Sequence, residues 1–492
     1  MAFASLSDVT NPDRPSADET LLVALRRALG DEAVLTGADV TVRARHVWDA
    51  RPIDALAVIR PSSTEQVADT LRLCNAAGRS VVTHGGLTGL VGGNDSLAKD
   101  VVLSLERLRR IESLDAAERT ITVQAGTVLE NVQRAAEEAG LQFGLDLGAR
   151  GSCTIGGNIA TNAGGLSVLR YGMMREQVLG LEAVLADGTI VSSMKGLLKN
   201  NTGYDWTQLL IGSEGTLGVV TRAVLRLHPA TPVVATAMLG CERLEQVGEL
   251  LGTLSRELDG TLNAFEVIWN PFYRLNTDPE RAGHVDAPLG REHPLYAIVE
   301  SRGSDEGTTT RFDTAMEKAF EKGLITDAVL ARSEHDRQRL WAVREQIEIA
   351  LTHDPVFVYD VSLAIGRMQD YLDDVDRALR EHWPQVRFFA YGHLADGNLH
   401  LMVAPEAIRP GAVVRHGLGE ASEATLAAEA VSDRIVYDAL RAVDGSVSAE
   451  HGIGTKKKRW LAHSRSAAER RLMHTLKHAL DPEGTLNPGK VL

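Results

Sequence analysis

Disulfide chemistry has little to work with: the 492 residues hold three cysteines, Cys74, Cys153 and Cys241, odd in number and far apart. No paired spacing suits a zinc or dithiol site, so a reducing, cytoplasmic compartment is expected. Proline is scarce, 16 residues against 45 glycines, and with 44% hydrophobic and 24% charged content the chain is neither collagenous, coiled-coil nor disordered. Basic charge is the minority sign. Lys+Arg of 52 against Asp+Glu of 66 leaves −14, a balance that repels nucleic-acid backbones. The short basic run Lys456–Arg459 reads as a solvated helix start. No run approaches about 18 apolar residues, so no segment is expected to span a membrane; peripheral attachment to an inner membrane stays open. The acidic start, with Asp8, Asp13, Asp18 and Glu19, does not resemble a signal or transit peptide.

A chain of this length predicts about three units. Residues 1–49 read as a helical lead-in, with Leu21, Leu22, Leu25 and Leu29 at helical spacing. Residues 50–229 follow as an α/β region. It opens with a helix capped by Ser62 and Glu65 and striped by Val67, Leu71 and Cys74. Strands are expected at Ser80–Thr83, Val101–Leu105, Arg109–Leu114 and Thr120–Gln124, the last three with antiparallel neighbours. A hairpin turns at Asp187-Gly188. Residues 230–446 alternate charged amphipathic helices with strands and predict a second, α+β unit. Residues 447–492 return to a glycine-rich loop and a helix over Ala467–Leu480.

Three glycine-rich loops stand out: Gly85–Gly93, Gly151–Gly165 and Gly212–Gly218. Glycine lets backbone approach a ligand closely, and bare amides favour anions. None contains Gly-x-Gly-x-x-Gly, which argues against nicotinamide binding on a Rossmann unit. With Arg170-Tyr171-Gly172 and Asn200–Asp205 between them, the loops resemble the FAD-binding domain of the vanillyl-alcohol oxidase/PCMH flavoprotein superfamily. Within it they are most similar to the D-2-hydroxyglutarate dehydrogenase and D-lactate dehydrogenase branch. The resemblance runs from about residue 50 to the C-terminus. It implies a PCMH-type FAD-binding domain of two α/β subdomains, an α+β cap with an antiparallel sheet, and a C-terminal return to the FAD domain.

The resemblance also implies cofactor contacts. The first loop, Gly85, Gly86, Leu87, Thr88, Gly89, Leu90 and Gly93 with Thr83 and His84 before it, would wrap the pyrophosphate. Gly151, Ser152, Thr154, Ile155, Gly156 and Gly157, then Ala160, Thr161 and Gly164, would line the flavin and ribityl chain. Gly215 and Val220 would meet the adenine half, and Asn398 and Asn487 complete the set. Thr88 stands where some relatives carry a flavin-linked histidine, so the FAD is expected to be non-covalent.

In Tyr391–Leu401, Asp396-Gly397 reads as a two-residue hairpin turn. Pairing outward, His393 faces His400, with Cβ atoms about 4.5–5.5 Å apart, and the two imidazoles can share an ion. Ser448–Gly454 offers Glu450 as a third ligand; two His and one Glu suit Zn or Mn. The resemblance implies the same set, and leaves His451 as the base. Arg344 matches the family arginine that holds the substrate carboxylate, a task suited to a guanidinium; the alternative is a helix-face pair with Glu348. Glu348, Val358 and Met402 stand where the 2-hydroxyglutarate enzymes carry threonine, lysine and asparagine.

What the resemblance implies is FAD- and metal-dependent oxidation of a D-2-hydroxy acid, 2-hydroxyglutarate-like or D-lactate-like, to the 2-oxo acid by hydride transfer. The electron acceptor would be an electron-transferring flavoprotein, a quinone or a cytochrome, and a homodimer is the expected assembly. Two alternatives stay open: a dehydrogenase of glycolate or another small hydroxy acid, and a non-catalytic flavin-binding subunit of an electron-transfer complex.

Overall fold

The computed structural model describes residues 16–47, 49–353, 355–405 and 422–492. In its first half, the strand Val101–Ser104 is buried at all four residues, the continuous apolar pattern of a strand covered on both faces. It runs parallel to Ala57–Ile59 on one side and Val81–His84 on the other. The antiparallel neighbours expected for it are therefore corrected. Parallel strands need crossovers; the helix Thr64–Ala76, burying Val67, Leu71 and Cys74, supplies the one from Ala57–Ile59 to Val81–His84, and the first glycine loop lies on the one from there to Val101–Ser104. Its cap is Ser63, whose hydroxyl accepts from Gln66 N, one residue beyond the expected Ser62.

A second sheet, antiparallel throughout, orders Ile190–Ser193, Val178–Val184, Val219–Pro229, Thr120–Gln124 and Ile111–Asp115. One core joins both sheets, and Leu21, Leu25 and Leu29 of the first helix belong to it. So does Leu486, which bridges Val81 in parallel. The end of the chain thus returns to the first sheet.

The third sheet has seven antiparallel strands, in the order Asp327–Leu330, Val233–Cys241, Leu295–Gly303, Leu262–Trp269, Arg387–His393, Asn398–Ala404 and Phe357–Ser362. Strand alternation divides its side chains. Val267, Val299, Tyr359, Val361, Leu399 and Leu401 form one core with the helices Leu244–Glu257, Gly307–Glu321, Met368–His382 and Glu423–Ala442. Met238, Ile268, Ile298, Phe389, Tyr391 and Met402 face the other way, toward the helices Asn270–Asn276 and Glu334–Glu345. Each such buried side chain stabilises by about 1.5–3 kcal/mol. On this second face the apolar pattern is interrupted by Glu266, Glu300, Asp360, His393 and His400, all buried. Among the described residues no helix is long and apolar enough to cross a membrane.

Candidate active site

The two histidines share a face, but not by the expected pairing. Tyr391, not His393, lies opposite His400, and His393 lies opposite Glu266 on the neighbouring strand. The connection is a helical turn over Leu394–Asp396 closed by Gly397 in the left-handed region, φ +82°, instead of a two-residue turn. Buried Leu394 anchors that turn in the core. The slip is two residues, and side chains alternate with period two, so the face is kept. The imidazole centroids lie 5.4 Å apart at 82°.

His393, His400 and Glu450 bring one ligand atom each within 4.8 Å of one another. His393 Nδ1 donates to Glu266 Oε1 at 2.6 Å, which turns Nε2 toward Glu450 Oε1, 3.6 Å away. A carboxylate behind a histidine is the arrangement that fixes a metal-ligand tautomer. Burial opposes the charge on His393, but Glu266 and Glu450 outweigh it and lift its pKa to about 9. Burial raises Glu450 to about 7, against the pull of His393. Glu450 Oε1 is buried without a hydrogen-bond partner. An unsatisfied buried carboxylate oxygen beside two imidazoles fits a divalent ion.

Asp360, His400 and His451 make a second grouping of the same size, and its chemistry differs. Asp360 Oδ2 accepts from the backbone amides of Ala449, Glu450 and His451 at 3.0–3.1 Å and from Lys457 Nζ at 3.4 Å. Oδ1 accepts from Asn398 Nδ2 at 2.9 Å. Burial would raise its pKa, but His451, Lys457 and His400 hold it well below the usual carboxylate range. This carboxylate already has its cation and donors, so the Glu450 grouping is the better ion site. The His400 and His451 rings stack at 5.8 Å. Burial lowers the pKa of both; Arg344 adds to this at His400, while Asp360 opposes it at His451.

Arg344 is buried near the end of its helix, its Nε donating to Glu266 Oε2 at 2.9 Å and its guanidinium 4.3 Å over the Tyr391 ring. The Glu348 pairing is thereby corrected: that residue lies beyond the helix, which ends at Glu345. Glu266 accepts from Arg344 and His393 together. One turn before Arg344, Trp341 helps line a cleft of about 230 Å³ with Asp146, Leu166, Asn263, Glu300 and Arg337.

The glycine loops converge on this site. A Cβ at Gly85 would stand 2.6 Å from Thr154 Oγ1, and one at Gly86 would overlap the Ser152 carbonyl oxygen. Leu87 takes φ +55°. Gly156 packs on Ala125, and a Cβ at Gly164 would lie 3.1 Å from Glu450 Oε1. Thr83 Oγ1, Thr154 Oγ1 and Asn158 Nδ2 are buried without partners, a cradle of donors and acceptors that fits FAD. Thr88, Gly89, Leu90 and Gly93 share the first loop, while Gly151 opens the second and Gly157, Ala160 and Thr161 lie on the helix Ile155–Thr161 within it. Other expected contacts are committed within the protein. His84 Nε2 meets the Asn94 carbonyl at 2.9 Å. Asn487 accepts from Thr83 N and donates to the Glu214 carbonyl, next to Gly215. Ile155 and Val220 are core residues, and the Asn398 amide donates to Asp360.

Family models match both halves: an FAD binding domain over residues 55–193 and the C-terminal domain of FAD linked oxidases over 230–491. The chain belongs to the FAD-linked oxidases. This FAD-linked oxidase is 39% identical over 444 residues to a D-2-hydroxyglutarate dehydrogenase of Xanthomonas citri pv. viticola, covering 90% of each chain. It is 40% identical to the mitochondrial D-2-hydroxyglutarate dehydrogenase of Bos taurus, over 88% of this chain and 76% of that one. A putative mitochondrial D-lactate dehydrogenase of Schizosaccharomyces pombe is 36% identical, over 88% and 81%. The fold is that of p-cresol methylhydroxylase, with TM-score 0.74 at 15% identity over 96% of each chain.

Four residues of the oxidase escaped the sequence reading. Glu266 and Asp360 are acids inside the apolar runs Leu262–Trp269 and Phe357–Ser362, and that interruption was the available signal. Glu214, at φ +52°, accepts from Ile453 N and Gly454 N at 2.7 and 2.8 Å. Lys457, expected in a solvated run, is buried with its Nζ on Asp360.

Proposed function

We propose that this FAD-linked oxidase oxidises a D-2-hydroxy acid to the 2-oxo acid, with a divalent ion, zinc or manganese, held by His393, His400 and Glu450. The observation that carries the reading is Glu450 Oε1, buried without a hydrogen-bond partner beside two imidazoles and against the Gly164 loop. When bound, FAD supplies the acceptor for the hydride that leaves the α-carbon, and a divalent ion supplies the Lewis acid that eases loss of the hydroxyl proton. The chain's residues do the rest. Arg344, oriented by Glu266, grips the substrate carboxylate. His451 is kept neutral by burial, accepts the hydroxyl proton, and gains stabilisation from Asp360 once charged. FAD rests non-covalently between the first two glycine loops. Residues 50–229 with 447–492 form its unit, 230–446 the substrate unit, and 1–49 the lead-in. Electrons leave to a flavoprotein, quinone or cytochrome acceptor.

A second reading concerns the substrate's side chain. Val358 lies directly opposite Met402, two residues along from Asp360 and His400 on the same face. This apolar pair favours a small or uncharged side chain, as in D-lactate or glycolate, over a diacid. Rates of anaerobic flavin bleaching by D-lactate, glycolate and D-2-hydroxyglutarate test both readings. Bleaching by none of them would sink the first; fastest bleaching by the diacid would sink the second.

A further inference from the structure

Asp360 has no contact that calls for chemistry of its own, yet it lies against three members of the proposed centre, the Glu450 and His451 backbone and the His400 ring. It sits mid-strand and fully buried. Its Oδ2 takes three consecutive backbone amides, those of Ala449, Glu450 and His451, and the Ser448 hydroxyl at 3.3 Å. Consecutive amides converging on one oxygen form an anion nest, here closed around a carboxylate of the chain. The same carboxylate lies 4.0 Å from His400 Nδ1 and 3.9 Å from His451 Nδ1. Lys457 Nζ, bonded to the Asp360 carbonyl at 3.0 Å, balances its charge. Within the loop, the Ser448 hydroxyl also donates to the Gly452 carbonyl at 2.9 Å. Beyond the Asp360 bonds, Glu214 holds two further amides, Ile453 N and Gly454 N.

We infer that Asp360 is a positioning residue: its carboxylate sets the backbone of residues 449–451, aims Glu450 at the ion and His451 at the substrate hydroxyl, and holds the Nδ1 edge of His400 away from the ion. The inference rests on the reading of His393, His400 and Glu450 as ion ligands and His451 as base, and it adds the group that aligns them. Asparagine has nearly the shape of aspartate but no charge, and its amide nitrogen cannot accept from the nest. Partners behind a metal ligand typically govern 10–100-fold in affinity.

The test compares wild type and Asp360→Asn, both as FAD-loaded full chains, by three readouts. Zinc affinity is measured by competition with a chromophoric chelator, amide hydrogen exchange by peptide, and flavin reduction in anaerobic single turnovers. The expected result is zinc binding weakened about 10–100-fold, faster exchange confined to peptides spanning 446–456, and slowed flavin reduction at saturating substrate, with FAD content unchanged. Exchange and zinc binding like wild type would overturn the inference. So would uniformly faster exchange with loss of FAD, which marks a merely structural residue. If wild type itself takes up no zinc, the ion reading fails. The exchange and flavin-reduction arms then still decide whether Asp360 positions Glu450 and His451. Should the Asn variant not fold, Asp360→Glu keeps the charge but moves the carboxylate by one methylene; the same localised pattern is expected, and its absence overturns the inference.

Discussion

At the scale of single residues, the site's chemistry comes from carboxylates denied water. Glu450 is raised to about 7 by burial, and His393 reaches about 9 because Glu266 and Glu450 face it. Both shifts report burial in a site of negative potential, which would equally favour a bound cation, with His393 giving up its proton to ligate it. His393→Ala is expected to lower turnover by at least about 100-fold while flavin absorbance stays at wild-type stoichiometry; undiminished activity would remove His393 from the centre. Arg344→Met leaves buried Glu266 with His393 as its remaining cation. It should cost about 3–5 kcal/mol of stability, as breaking a buried pair does, read as a lowered urea midpoint. His84 offers a pH test at the end of the strand that leads into the first glycine loop, where burial holds its pKa at about 4. The folded state binds this proton less well than the unfolded chain, whose imidazole titrates near 6.5. The stability it contributes is therefore complete above about pH 6.5 and is lost as pH falls toward 4. A His84→Gln variant should show a shallower loss of stability across that window. Parallel curves for the two proteins would contradict this.

At the scale of elements, what was legible depended on how local the signal is. The helix Ala467–Leu480 matches its expected bounds because Ser466 and Glu469 form a complete capping box. Ser466→Ala should lower stability by about 1 kcal/mol, measurable as a small shift in denaturation midpoint. The shared face of His393 and His400 was legible through strand alternation alone, which tolerates a two-residue slip; their pairing was not, because it depends on how Leu394 packs. Glu266, Asp360 and Lys457 mattered only once strands far apart in sequence were brought together. The parallel sheet around Val101–Ser104 was hidden for a similar reason, since burial on both faces is a property of the neighbours. The glycine loops were read as ligand loops, and their geometry adds a test. Gly86→Ala must displace the Ser152 carbonyl, so FAD affinity is expected to fall at least about tenfold, a loss of some 1.4 kcal/mol. Full flavin occupancy at submicromolar FAD would contradict the cradle.

At the scale of the whole molecule, the last 46 residues, 447–492, tie the two halves together. Glu450 meets the third sheet's histidines, Ile453 and Gly454 hang from Glu214, and Leu486 and Asn487 lock onto Val81 and Thr83. A centre assembled from both halves should respond as one unit. Anaerobic titration of the metal-replete, FAD-loaded protein with paired D- and L-2-hydroxy acids, followed at the flavin absorption band, tests this account most directly. The account predicts rapid bleaching by a D-acid and not its L-isomer, lost on chelation and restored by zinc or manganese. A flavin that dithionite reduces but no hydroxy acid bleaches would contradict it.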